Sequence, residues 1–150
     1  MNLIFTTLWS KISPAHEWDI EHQMSDFHVI RYNKFRFSSV QYNQLHNDCL
    51  EFLLKEINNT TTKKTIVVTH HVPTFLNYPE QYKGSVLNEG FAVELFDFIE
   101  KSKVDYWIYG HHHQNIPSFK IGNTELQTNQ LGYVKYGENK GFSFDRIIEL

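Results

Sequence analysis

The residues best equipped for chemistry are histidines. Nine occur in 150 residues, and five fall in two tight groups, His70-His71 and His111-His112-His113. A neutral imidazole binds transition metals and, near pH 7, exchanges protons, so convergent histidines point to a metal site or to acid–base work. His111 and His113 are two residues apart, a spacing that lets both rings approach one cation from the same side if the chain stays extended or turns tightly. Gly110 immediately precedes them, and a missing Cβ is expected to permit the close turn. His46, by contrast, sits beside an apolar helical stripe and reads as a hydrogen-bonded core histidine.

The elements that position these groups can be read from the pattern. Thr65-Ile66-Val67-Val68-Thr69 is β-branched without alternation, as expected of a central strand covered on both faces, and it ends at His70. Tyr106 to Tyr109 predicts a second buried strand, halted by Gly110 and followed by the triple histidine. Ligands of open α/β sheets bind beyond the carboxyl ends of the strands, and both strands deliver histidine there. Upstream, Leu3 to Trp9 predicts a strand, Ser10 to Ser25 a surface excursion without clean period, and His28 to Tyr32 a short extended segment. Ser38 or Ser39 caps a helix whose apolar stripe is Tyr42, Leu45, Cys49, Phe52, Leu53 and Ile57.

Thr74 to Gly84 reads as a loop that can shape a pocket, where Tyr78, Tyr82 and Lys83 are read first as exposed structural residues and, as the alternative, as ligand contacts. A second helix is expected from Ser85 through Val86, Phe91, Leu95, Phe98 and Ile99, with Lys101 and Lys103 at its end. Beyond Pro117, the segments Ser118 to Ile121, Glu125 to Thr128 and Phe142 to Leu150, parted by glycine turns, predict a mixed or antiparallel sheet. The class is α/β in one domain over 1–150, with a sheet-rich C-terminal portion.

Composition narrows the partners. Lys and Arg total 14 against 17 acidic residues, a net charge of −3. Nucleic-acid binding through a broad basic face is therefore not expected. The apolar opening is too short to span a membrane and lacks the pattern of a signal peptide. The single Cys49 excludes an internal disulfide, and a cytoplasmic setting is expected.

Carboxylate partners for a metal are scarce. Asp26-Phe27-His28 has Asp-x-His spacing but no apolar strand before it. Asp105 begins its strand and should point away from the histidines, while Asp97 and Glu100 lie in the expected second helix.

Val67-Val68-Thr69-His70-His71-Val72-Pro73 and Trp107-Ile108-Tyr109-Gly110-His111-His112-His113 resemble the metal-binding strand ends of the calcineurin-like metallophosphoesterases. Asn129-Gln130-Leu131-Gly132-Tyr133 is similar to a downstream motif of one branch, and Phe5-Thr6-Thr7-Leu8-Trp9 to a mid-domain strand. The likeness is to the C-terminal half of that domain. It implies a partial β-sandwich flanked by helices, and a site for two divalent ions such as Mn, Fe or Zn. By the same likeness His70 and His111 bind one ion and His113 the other, with His71 and Asn129 on the substrate side and His112 off the metal. No catalytic acid or base is assigned.

The family's Gly-Asp and Gly-Asn-His segments are absent upstream of the His70 strand, since the first glycine is Gly84, and Asp26 and His28 do not supply its Asp-x-His opening, because they follow a strand that resembles the family's middle rather than its beginning. The resemblance therefore implies hydrolysis of a phosphomonoester or phosphodiester by the complete domain through a metal-bound water, with this chain impaired alone. One alternative is a non-catalytic half-domain acting as a binding or scaffold protein, self-associating through an exposed sheet edge. Another is a small zinc hydrolase using His70, His111 and His113 alone.

Overall fold

A computed structural model describes residues 1–61 and 64–149. Its longest element starts at Ser38, whose extended backbone and reciprocal pairing with Gln41 form a capping box for α3 (Ser39–Asn58). Two otherwise orphaned backbone donors are thereby satisfied. The helix buries Tyr42, His46, Leu53 and Ile57. This corrects the expected stripe, because Phe52 turns to solvent at 42% exposure and His46 takes its place. The His46 ring donates from Nδ1 to the Trp9 carbonyl at 2.7 Å, the core role expected of it.

β1 (Asn2–Thr6), β4 (Thr65–Thr69), β5 (Tyr106–Ile108), β7 (Thr124–Gln127) and β6 (Phe119–Ile121) form one sheet in the order β1-β4-β5-β7-β6. All neighbours run parallel except β6 and β7, an antiparallel hairpin turned at Gly122. Register aligns Ile4, Val67, Trp107 and Leu126 in one row. None of the four exceeds 3% exposure, and they share a core with Leu53 and Ile57 of α3 and Ile99 of α4 (Phe96–Lys101). Trp107 also donates from Nε1 to Thr69 Oγ1 at 3.1 Å, so the largest core side chain leaves no unpaired polar atom.

Three stretches depart from the sequence expectations. The 10–25 excursion contains α1 (Glu17–Gln23), and Asp26 opens α2 (Asp26–Val29), so only Arg31–Tyr32 of the expected 28–32 segment is extended, as β2 paired with β3 (Phe35–Arg36). Ile20 and Phe27 from these helices, with Met24 between them, pack with Phe37 and Tyr42 into a second core, a tertiary contact that local periodicity does not announce.

The expected second helix is reduced to α4. Ser85 caps a 3-10 turn, Val86–Gly90, after which Val72 and Ala92 bridge and Val93 donates to the Val72 carbonyl. Backbone groups engaged there are withdrawn from a helical ladder. The third departure is 142–149, which forms no strand. Phe144 and Ile147 are 91% and 76% exposed, so little burial offsets the cost of ordering them; Leu150 lies outside the described residues.

Among the described residues no helix is long and apolar enough to cross a membrane. β1 is an edge strand with Leu3 and Phe5 at 46% and 63% exposure.

Candidate functional site

Parallel strands send their carboxyl ends to the same side, and the two histidine groups meet there. The backbone N–H groups of His70 and His71 both donate to the Thr7 carbonyl, at 3.2 and 3.1 Å, which fixes the end of β4 against the end of β1. Adjacent residues then diverge: His70 is exposed, and His71 is 1% exposed. His71 Nδ1 accepts the Ser10 backbone N–H at 3.3 Å and lies 3.1 Å from Ser10 Oγ and 3.4 Å from the Tyr42 hydroxyl. A nitrogen that accepts from a backbone donor holds no proton. His71 is therefore neutral with hydrogen on Nε2, and desolvation, reinforced by His111, His70 and His46, holds its pKa well below 6.5.

The turn after β5 is strained in an unexpected place. Gly110 does not have positive φ, and a Cβ there would meet the His70 carbonyl oxygen at an ordinary 3.6 Å. The left-handed conformations fall instead on His111 and His113, with φ of 78° and 55°. Each costs a side-chain-bearing residue about 1–2 kcal/mol, and strain of this kind collects at functional sites.

Gln130, which is buried, holds the turn in place. Its Oε1 accepts the His113 backbone N–H at 2.8 Å, while its Nε2 donates to the Gln114 carbonyl at 3.0 Å and lies 3.1 Å from His112 Nδ1.

The three rings consequently separate. His111 packs against His71, His70 and Phe91, with centroids 4.3, 4.5 and 4.6 Å away. It is hydrogen-bonded to the Gly90 backbone, while its Nε2 is buried with no partner among the described residues. Burial first, then the charge of His70, lowers its pKa to about 3 against the opposing Gly90 bond. His112 is 5% exposed, edge-on to Tyr78 and Tyr109, and desolvation lowers it to about 4. His113 turns the other way, its Nδ1 2.9 Å from Glu138 Oε2 and its ring against Tyr133.

His70, His111, His112 and His113 line one cleft of about 690 Å³ together with Asp26, Glu138 and an aromatic wall of Tyr78, Tyr82, Phe91 and Tyr133. Among the described residues no Lys or Arg lines it. Two sequence candidates lie outside: His71 is packed beneath the cleft, and Asn129 is tied by both side-chain atoms to the Ser143 backbone. Asp26 enters the cleft without its sequence partner, since the His28 ring contacts the His22 carbonyl. Asp105 lies at the other end of the sheet, bound to Lys64 and the Thr65 N–H.

Sequence reasoning missed Glu138 and Gln130. Glu138 is 25 residues from His113, with no spacing signal to mark it, whereas Gln130 lay inside a segment already singled out.

Three donors are needed to anchor zinc in an open site. Among the described residues no group of three or more His, Cys, Asp or Glu side chains is placed to hold a metal ion. His70 and His111, with the orphaned Nε2, form a two-imidazole corner; His113 is drawn off toward Glu138. This donor set does not fit a bound ion, and no reaction step is derived through one.

A family model for calcineurin-like phosphoesterases matches residues 4–115. An uncharacterized protein of Acanthamoeba polyphaga mimivirus is 30% identical over 144 residues, which cover 89% of this chain and 50% of that protein. The chain thus spans about half the length of the curated relative it matches. No solved structure matches.

Proposed function

Because the chain belongs to the calcineurin-like phosphoesterases, we propose that it is a histidine-bearing half-domain that binds at its cleft and does not by itself turn over phosphoesters. The observation that carries this reading is the divergence of the histidine turn, which leaves no three-donor set among the described residues. Two-ion hydrolysis depends on ions held a few ångströms apart around an attacking oxygen, and such a pair requires bridging ligands. The cleft's Asp26 and Glu138 do not join the imidazoles in such a set.

The test is an assay of the purified chain with p-nitrophenyl phosphate and bis(p-nitrophenyl) phosphate in the presence of Mn2+ or Zn2+. Turnover no higher than that of His111→Ala is expected. Robust hydrolysis that disappears in His111→Ala would overturn the reading.

A second reading is favoured by the orphaned His111 Nε2 beside His70 and by the doubled length of the mimiviral relative. In it, 1–150 is the C-terminal portion of a domain that hydrolyses a phosphomonoester or phosphodiester with divalent ions on His70, His111 and His113. Carboxylates from outside these residues complete the site, with His71 and Asn129 supporting the substrate side. Restored turnover on adding the relative's other half would favour this reading. The open edge of β1 also supports self-association, which sizing over a wide concentration range would read directly.

A further inference from the structure

The segment after β7 reaches back to the histidine turn through Gln130 and Glu138. An imidazole can offer either ring nitrogen to a ligand, and the hydrogen bond made by one nitrogen decides what the other presents. A carboxylate only accepts. Glu138 Oε2 lies 2.9 Å from His113 Nδ1, so the neutral ring carries its proton on Nδ1 and keeps a lone pair on Nε2. No hydrogen bond from the described residues reaches that Nε2, and His113 lines the cleft.

The same carboxylate oxygen accepts the Tyr133 backbone N–H at 2.6 Å, binding the loop that delivers Glu138 to the ring it holds. Gly132 makes the approach possible. At φ +60° a Cβ there would sit 2.6 Å from the Glu138 Cβ and 3.2 Å from the His113 Cβ. Beneath, Gln130 accepts from the His113 amide, and Asn115 exchanges two hydrogen bonds with the Gln130 backbone, at 2.6 and 2.8 Å. The strained turn and the loop therefore brace one another through five named contacts among His113, Asn115, Gln130, Tyr133 and Glu138.

We infer that Glu138 is a positioning residue, whose carboxylate selects the Nδ1–H tautomer of His113 and presents Nε2 to the cleft while Gln130 locks the left-handed backbone below. The functional meaning rests on the cleft reading given above, but the tautomer is measurable with no ligand present. A merely structural role predicts something different. Glu138→Gln keeps an acceptor for the Tyr133 N–H, and with it the loop, but its amide can also donate to Nδ1 and so no longer dictates the tautomer.

Long-range 1H–15N NMR of the His113 ring at pH 8 in the ligand-free chain reads this directly. The wild type is expected to show a protonated Nδ1 and an unprotonated Nε2, and Glu138→Gln a shift toward a mixture with the Tyr133 amide unmoved. Gln130→Ala should keep the Nδ1–H form while the His113 amide exchanges about tenfold faster as the turn loosens. A wild-type ring protonated on Nε2, or a Glu138→Gln ring indistinguishable from wild type, overturns the inference. Should Glu138→Gln fail to fold, the wild-type ring and Gln130→Ala decide it by the same criteria. Zn2+ alone then serves as a probe of Nε2. A response there supports the inference, whereas the expected tautomers with no Zn2+ response leave Glu138's positioning role standing and count against the cleft reading.

Discussion

Acidifying the chain from pH 7 to pH 5 should remove about 4 kcal/mol of folding stability through His111 and His112 alone. In the unfolded chain each imidazole takes up a proton near its ordinary pKa of 6.5, whereas in the fold they resist protonation until about 3 and about 4, chiefly because the rings are buried. The folded pKa is depressed in both cases. Stability from keeping the rings neutral is therefore fully present above 6.5 and is lost as pH falls toward the folded values. At pH 5 the unfolded rings are almost fully protonated and the folded ones almost wholly neutral, a difference of about 2 kcal/mol per ring. His71, His70 and His46 are lowered as well and act in the same direction. Burial raises the carboxyls of Glu89 and Asp105, but hydrogen bonds from Ser13 and Thr65 carry them below 4.5 and 3.8, so their contribution is lost mainly below pH 5. Urea unfolding at pH 8, 7, 6 and 5 measures the loss, and His112→Asn should reduce it by about 2 kcal/mol. A wild-type stability that stays flat from pH 7 to pH 5 refutes the argument.

Tyr42→Phe removes a hydroxyl that lies 2.8 Å from the Gly90 carbonyl and 2.6 Å from Ser10 Oγ; the buried groups left behind should lower stability by about 1–3 kcal/mol in urea melts. Gly122→Ala places a Cβ 2.8 Å from the Glu100 carbonyl oxygen at φ +57°, whereas at Gly84, φ +78°, a Cβ meets nothing. Gly84→Ala should thus carry only the left-handed cost of about 1–2 kcal/mol, and Gly122→Ala measurably more in the same denaturation assay. Equal losses would remove the proposed overlap.

Much of the framework was legible in the residues. A capping serine at 38 or 39 announced the start of α3, the β-branched run 65–69 announced a strand covered on both faces, and Gly122-Asn123 announced the hairpin of β6 and β7. These signals are local: a cap, a run or a turn depends on residues a few positions apart. α1 and α2 were not legible because Ile20, Met24 and Phe27 gain their burial from Phe37 and Tyr42, which lie well downstream in the chain. Ser85 to Leu95 failed as a helix because Val72, brought in from the end of β4, claims its backbone.

The sequence by itself determined that histidines end two neighbouring strands, since strand runs and the residues that follow them are contiguous. Only the tertiary structure decided where the rings go. Left-handed backbone at His111 and His113 parts side chains that an extended chain would send to the same side, and the partners that stabilise the turn, Gln130 and Glu138, come from another stretch of chain. Burial then separates their chemistry, drawing His71 beneath the cleft, burying His112 in its wall and leaving His70 exposed. Those outcomes depend on φ angles and on contacts across tens of residues, which spacing does not encode.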